Sequence, residues 1–164
     1  MKNKNVLLIL ILIAAIGLAS YYVLKNKVDQ PTTSLEYQNS QHGFSFDLPL
    51  SWQGYTIVES VWQGHIPGET GDIFSEEGPL IFIRHPHWTE EKPRQDIPIM
   101  VFTIDQWTKV MADDLFVSAA PIPPMELGRN QNYVFALPAR YNFAFPEGFE
   151  EVEDILRNNP LRPL

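Results

Sequence analysis

The sequence contains no cysteine. That excludes disulfides, thiolate metal ligands, a cysteine nucleophile and attachment through a lipidated cysteine. The fold must hold by packing alone. Basic residues are also scarce. All 20 acidic residues follow Lys27, whereas Lys2, Lys4, Lys25 and Lys27 account for four of the 12 basic ones, so the rest of the chain carries a net charge of −12. Neutralising a phosphate backbone takes clustered Lys and Arg. Nucleic acid is therefore excluded as a partner, and anionic lipid headgroups are disfavoured. No serine stands in a Gly-x-Ser-x-Gly elbow, and no internal repeat is present.

One long hydrophobic run does occur. Residues 6–24, VLLILILIAAIGLASYYVL, carry no charge and are bracketed by lysines. As a helix this run spans roughly 28 Å, close to the hydrocarbon thickness of a bilayer. Tyr21 and Tyr22 stand near its far end, where amphipathic rings favour the interface. Residues 1–27 are expected to be a transmembrane anchor. The alternative is a cleaved signal peptide, with Gly17-Leu18-Ala19-Ser20 supplying small residues near a cut. Both place the remainder outside the cytoplasm, single-pass if anchored and secreted if cleaved.

Residues 28–40 are polar, include Pro31, and read as a linker. Residues 41–164 are long enough for one domain with a real core. In residues 43–48, Phe44, Phe46 and Leu48 alternate with polar positions, as on one face of a strand. Residues 54–62 are β-branched and aromatic, and residues 79–85 and 97–102 are strongly apolar, so all three read as strands. Residues 64–78, glycine-rich and acidic, read as a long loop. Thr103-Ile104-Asp105-Gln106 fits a capping box, and Ile104, Trp107, Met111 and Leu115 then recur at helical spacing, predicting a helix over 104–115. Residues 131–137 predict a strand, and 141–145 a short one. Pro146 opens a final helix with the apolar stripe Phe149, Val152, Ile155 and Leu156, stopped by Asn158-Asn159-Pro160. The expected fold is α+β: a mostly antiparallel sheet covered by two helices, preceded by one N-terminal transmembrane helix.

Gly43-Phe44-Ser45-Phe46, then Leu48-Pro49 and Trp52, resembles the opening hairpin of the Mog1/PsbP-like fold, and Asp154-Ile155-Leu156 in the last helix is similar to the way such domains close. The resemblance covers the two ends of the domain. It implies an accessory or binding protein outside the cytoplasm and carries over no site residue, because the matching residues are structural.

Among candidate sites, Arg84-His85-Pro86-His87-Trp88 stands out. On an extended backbone His85 and His87 project to one face, where two imidazoles chelate a metal if Glu90 or Glu91 completes the set. Histidines at a strand end are more often surface or hydrogen-bonded groups. Asp72, Glu76 and Glu77 invite a calcium reading, but the ligand alternation of an EF-hand is missing. Trp62 and Trp88 flank the expected loops and are candidates for an exposed aromatic surface, whereas Trp107 is expected in the core. Carboxylate pairs are too abundant in an acidic chain to mean anything. No catalytic residue and no cofactor are assigned. The expected function is a non-catalytic, membrane-tethered domain binding a protein or envelope component through Trp62, Arg84, His85, His87 and Trp88. The alternatives are an envelope hydrolase or metal-dependent enzyme using His85 and His87, and a glycan-binding module.

Overall fold

The computed structural model describes residues 34–66 and 73–164. The expected membrane segment lies outside them. Among the described residues no helix is long and apolar enough to cross a membrane.

Alternation places the first core residues. In β2 (Phe44–Pro49) Phe44, Phe46 and Leu48 are all buried. This strand pairs antiparallel with β1 (Ser34–Asn39) on one side and β8 (Leu161–Pro163) on the other. β1 takes up much of the stretch read as linker. Leu35 and Tyr37 alternate there with polar residues and pack on the core.

A second, five-stranded antiparallel sheet runs in the order β3 (Thr56–Ile66), β4 (Ile73–Arg84), β5 (Ile97–Thr103), β7 (Tyr133–Leu137) and β6 (Met125–Arg129). Its middle strand, β5, is buried on both faces, which explains its unbroken apolar run. Ile97, Ile99 and Val101 face a core built with Phe44, Phe46, Leu48, Trp52, Phe135, Val152 and Ile155. Met100 and Phe102 face another, built with Trp62, Trp107, Val110 and Leu115. Pro98 is tolerated because the β5–β7 ladder begins only at Met100, so the missing N–H removes no bond from it.

Helix α1 (Ile104–Met111) starts at the expected capping box. Thr103 Oγ1 accepts from the Gln106 N–H at 3.2 Å, and Gln106 Oε1 accepts from the Thr103 N–H at 2.9 Å. It ends short of Leu115, and its buried side is Trp107 and Val110. Ile104 and Met111, expected in the stripe, are exposed, while Leu115 reaches the core from the turn that follows. Helix α2 (Phe149–Arg157) buries Val152 and Ile155 as expected, but it starts at Phe149 behind Gly148, so Pro146 precedes the helix and does not open it. Together these elements make an α+β domain with two helices and antiparallel sheets. The larger core is closed by a second sheet as well as by α2.

Two further expectations fail for definable reasons. Residues 64–78 are not one loop, because β3 runs to Ile66 and β4 starts at Ile73, leaving 67–72 between them. Gly64 and Gly78 lie inside the strands, where the side chains of Leu115 and Trp62 need the space a Cβ would fill. Residues 141–145 are turns, with the Asn142 carbonyl bonded to the Phe145 N–H at 2.9 Å.

Candidate binding site

The Arg84–Trp88 segment folds as a clasp at the end of β4. Arg84 Nη2 lies 2.9 Å from Asp96 Oδ2, its Nε bonds the same carboxylate, and its guanidinium stacks 3.9 Å over the half-buried Trp88 ring. His85 is only 5 % exposed and meets Trp52 edge to face, ring centroids 5.0 Å apart. Its Nδ1 accepts the main-chain N–H of His87 at 3.0 Å. Burial, reinforced by the Arg94 guanidinium and by His87, pushes the His85 imidazole below its ordinary range, against the opposing pull of Glu151 and Glu147.

Pro86 turns the chain here, so His85 and His87 do not sit on one strand face. Their rings touch at 5.0 Å centroid separation, but one ligand nitrogen of His85 is already engaged. Among the described residues no group of three or more His, Cys, Asp or Glu side chains is placed to hold a metal ion. Asp72 of the calcium reading lies outside the described residues, and Glu76 is paired with Lys109 at 2.8 Å.

Trp62 does not belong with this segment. It is 3 % exposed, with Nε1 donating to the Val101 carbonyl at 2.9 Å beneath α1. The expectation that it flanks a loop fails because β3 and β4 continue past it. None of the four tryptophans is exposed: Trp52, Trp62 and Trp107 are buried and Trp88 is half-buried.

Behind the clasp Arg94 joins the 86–96 loop to the start of α2 through Glu147 and, at 3.8 Å, Glu151, whose Oε1 accepts from Ser51 Oγ at 2.7 Å. These residues hold elements together, with the Arg94 charge paired to carboxylates while its buried Nε has no hydrogen-bond partner among the described residues.

The arrangement with spare binding capacity lies on β3. At His65 the main chain turns away from β4: its N–H and C=O both bond Phe116, each at 2.8 Å. Alternate residues of a strand turn their main chain to the same side. Ile57, Glu59, Val61 and Gln63 therefore present theirs to the open edge of the sheet, and no described residue pairs with them.

Beside this edge runs a groove of about 380 Å³. Its floor is the β3–β4 ribbon, with Glu59, Val61, Glu77 and Pro79, and its wall is the β1–β2 turn at Gln41 and His42. Two carboxylates line it and no Lys or Arg does. Neither Glu59 nor Glu77 forms an ion pair with a described residue. His42 is 8 % exposed; Asn39 Oδ1 accepts from its main-chain N–H at 2.9 Å and lies 3.2 Å from its Nδ1. Burial lowers its pKa while the Glu59 carboxylate works the other way. In the neutral ring that donates from Nδ1, Nε2 is a hydrogen-bond acceptor.

Sequence reasoning missed these residues because Glu76 and Glu77 fell in the supposed loop. The signal available was the alternation of Ile57, Glu59 and Val61, continued across the ladder by Glu77, Pro79 and Ile81.

Compared with protein-family models, with characterised proteins and with solved structures, the chain matches none.

Proposed function

We propose that the chain is a non-catalytic binding domain, tethered outside the cytoplasmic membrane by residues 6–24, whose partner is a protein of the cell envelope. The observation that carries this reading is the open β3 edge lying beside an acidic groove. Exposed main chain is a recognition feature, and the unneutralised carboxylates beside it favour a partner of opposite charge. The uncharged, lysine-bracketed run supports the tether. The resemblance of the Gly43–Trp52 stretch to the Mog1/PsbP-like opening supports an accessory role.

The test uses the full chain, solubilised from membranes in mild detergent and immobilised. It is offered detergent-solubilised envelope proteins and cell-wall fragments, and the bound material is identified by mass spectrometry. A single saturable protein partner is expected. Retention of glycan alone, or of nothing, sinks the reading. Protease treatment of intact cells bearing a C-terminal tag checks the location: the tag is lost if the domain is outside.

A further inference from the structure

Edge strands left open in a sheet are templates for pairing, and proteins ordinarily blunt them with brevity, charge, proline or bulges. In this fold β8 is three residues long and includes Pro163. β6 is short, has a register shift between Glu126 and Gly128, and carries the Arg129–Glu126 ion pair. β3 has little of this protection, since its one register shift, between Gly64 and His65, lies beyond the open stretch from Ile57 to Gln63. It is 11 residues long, contains no proline or lysine, and bears Glu59 as its only charged residue apart from the partly covered His65. Its far end is closed by Phe116, which pairs antiparallel with His65. That pair shows the edge accepting main-chain partners.

We propose that the β3 edge receives an extended, basic segment of the partner protein as an additional strand. The inference rests on the reading of the chain as a binding domain and names the chemistry of what is bound. Ile57 to Gln63 supply alternating donors and acceptors over a length of roughly 20 Å. Their side chains set the pattern the incoming strand must match. A residue opposite the exposed Val61 is apolar, and one opposite Glu59 is Lys or Arg. A second long basic side chain on the same face reaches toward Glu77, which sits across the ladder from Gln63.

Charge selects this occupant over a second copy of the chain. Two copies would bring together Glu59, Glu77 and two fields of net charge −12, whereas a basic segment neutralises them. The groove offers carboxylates and, at His42, a neutral acceptor ring, with no cation to repel a lysine.

The test is fluorescence anisotropy on the full chain in detergent, with a short labelled peptide that carries lysine, valine and lysine at every second position and threonine between them, so that these three side chains share one face. Three comparisons decide it. The same peptide with glutamate in place of lysine is expected to bind at least about tenfold more weakly. The lysine peptide N-methylated at alternate main-chain nitrogens is expected to lose binding, since methylation removes the donors of one edge without touching charge. On the protein side, Val61→Pro removes an outward N–H at an edge position where proline is tolerated, and Glu59→Lys with Glu77→Lys reverses the groove. Each is expected to weaken the lysine peptide by about tenfold or more. The charge-reversed variant keeps the test open if Val61→Pro folds poorly.

No binding of the lysine peptide overturns the proposal. So does equal binding of the N-methylated peptide, which would mean non-specific attraction. A concentration-dependent dimer abolished by Val61→Pro would assign the edge to a second copy instead. If Val61→Pro and the charge-reversed variant both still capture the partner found with the wild-type chain, the binding-domain reading stands and the β3 proposal falls.

Discussion

Trp62 and Gly78 face each other across the β3–β4 ladder, and the indole lies so close over the glycine that a Cβ there would sit 2.6 Å from Cζ2. The glycine has no side chain to pack, and the indole covers it. The same ring bonds the Val101 carbonyl two strands away and tilts against Phe102 at 4.6 Å. A residue whose sequence neighbours suggested a loop is thus the centre of the smaller core.

Gly78→Ala forces Trp62 from this position. The expected loss is about 1–3 kcal/mol, the usual cost of overpacking, read from urea unfolding. Trp62→Phe relieves the clash but strands the Val101 carbonyl, which costs about 1–3 kcal/mol by itself. The two changes share one contact, so the double variant is expected to lose less than the sum of the single losses.

That pair also explains what the sequence did and did not reveal. Alternation is readable where polar residues stand between the core ones, as at Phe44, Phe46 and Leu48, and the helical period is readable at Val152 and Ile155. The capping box at Thr103 and Gln106 formed as its spacing predicted. Glycine was the misleading signal: at Gly64 and Gly78 it marks close approach of a side chain inside a strand rather than a break. β6 and β8 are too short to show a period, and β8 becomes a strand only by pairing with Phe44, Ser45 and Phe46. The α1 stripe misled at Met111, because Leu115 fills the core from beyond the helix. The groove was illegible because it depends on the register that sets Gln63 against Glu77 and Val61 against Pro79.

Burial of His85 and His42 predicts how stability follows pH. Burial holds both imidazoles below the ordinary histidine range in the folded chain. The unfolded chain then binds protons first, so each group costs stability as pH falls from the unfolded pKa through the folded one. Thermal midpoints are expected to drop between about pH 7 and pH 5, above the range where carboxylates protonate. His85→Gln is expected to flatten that slope while lowering the midpoint at pH 7, because Trp52 loses its edge-to-face partner. An unchanged slope would show that the environment of His85, including Arg94, Glu147 and Glu151, does not favour its neutral form.

Arg84 is expected to behave as a structural residue. Its side chain is about a quarter exposed, and Asp96 less so. Arg84→Lys keeps the charge but loses the two-point contact and the stacking on Trp88, at a cost of about 1 kcal/mol. Arg84→Ala strands the Asp96 carboxylate and costs about 1–3 kcal/mol. A double-mutant cycle with Asp96→Asn is the measurement. A large coupling energy with unchanged peptide binding at β3 is expected, and a loss of that binding would place Arg84 in the binding surface.

Asn130 joins the two sheets through their turns. Its Nδ2 donates to the carbonyls of His42 and Gly43 at 2.8 and 2.9 Å, and its Oδ1 accepts from the N–H groups of Asn132 and Tyr133, both at 2.9 Å. Gly43 has φ +73°, and a Cβ there would fall 2.9 Å from Asn130 Nδ2, so the β1–β2 turn is shaped to receive this amide. Asn130→Ala removes both halves and is expected to cost about 1–3 kcal/mol. Asn130→Asp keeps the acceptor that organises the β6–β7 turn but sets a carboxylate oxygen against two carbonyls. At neutral pH it is therefore expected to be the worse substitution. Protonation turns that oxygen into a donor, so the gap between the Asp and Ala variants should close as pH falls toward about 4. Amide exchange at Gly43 and Leu164, whose N–H bonds the Gly43 carbonyl at 2.9 Å, is expected to quicken in both. Slow exchange there in the Ala variant would mean that the turn beside the groove holds its shape without Asn130.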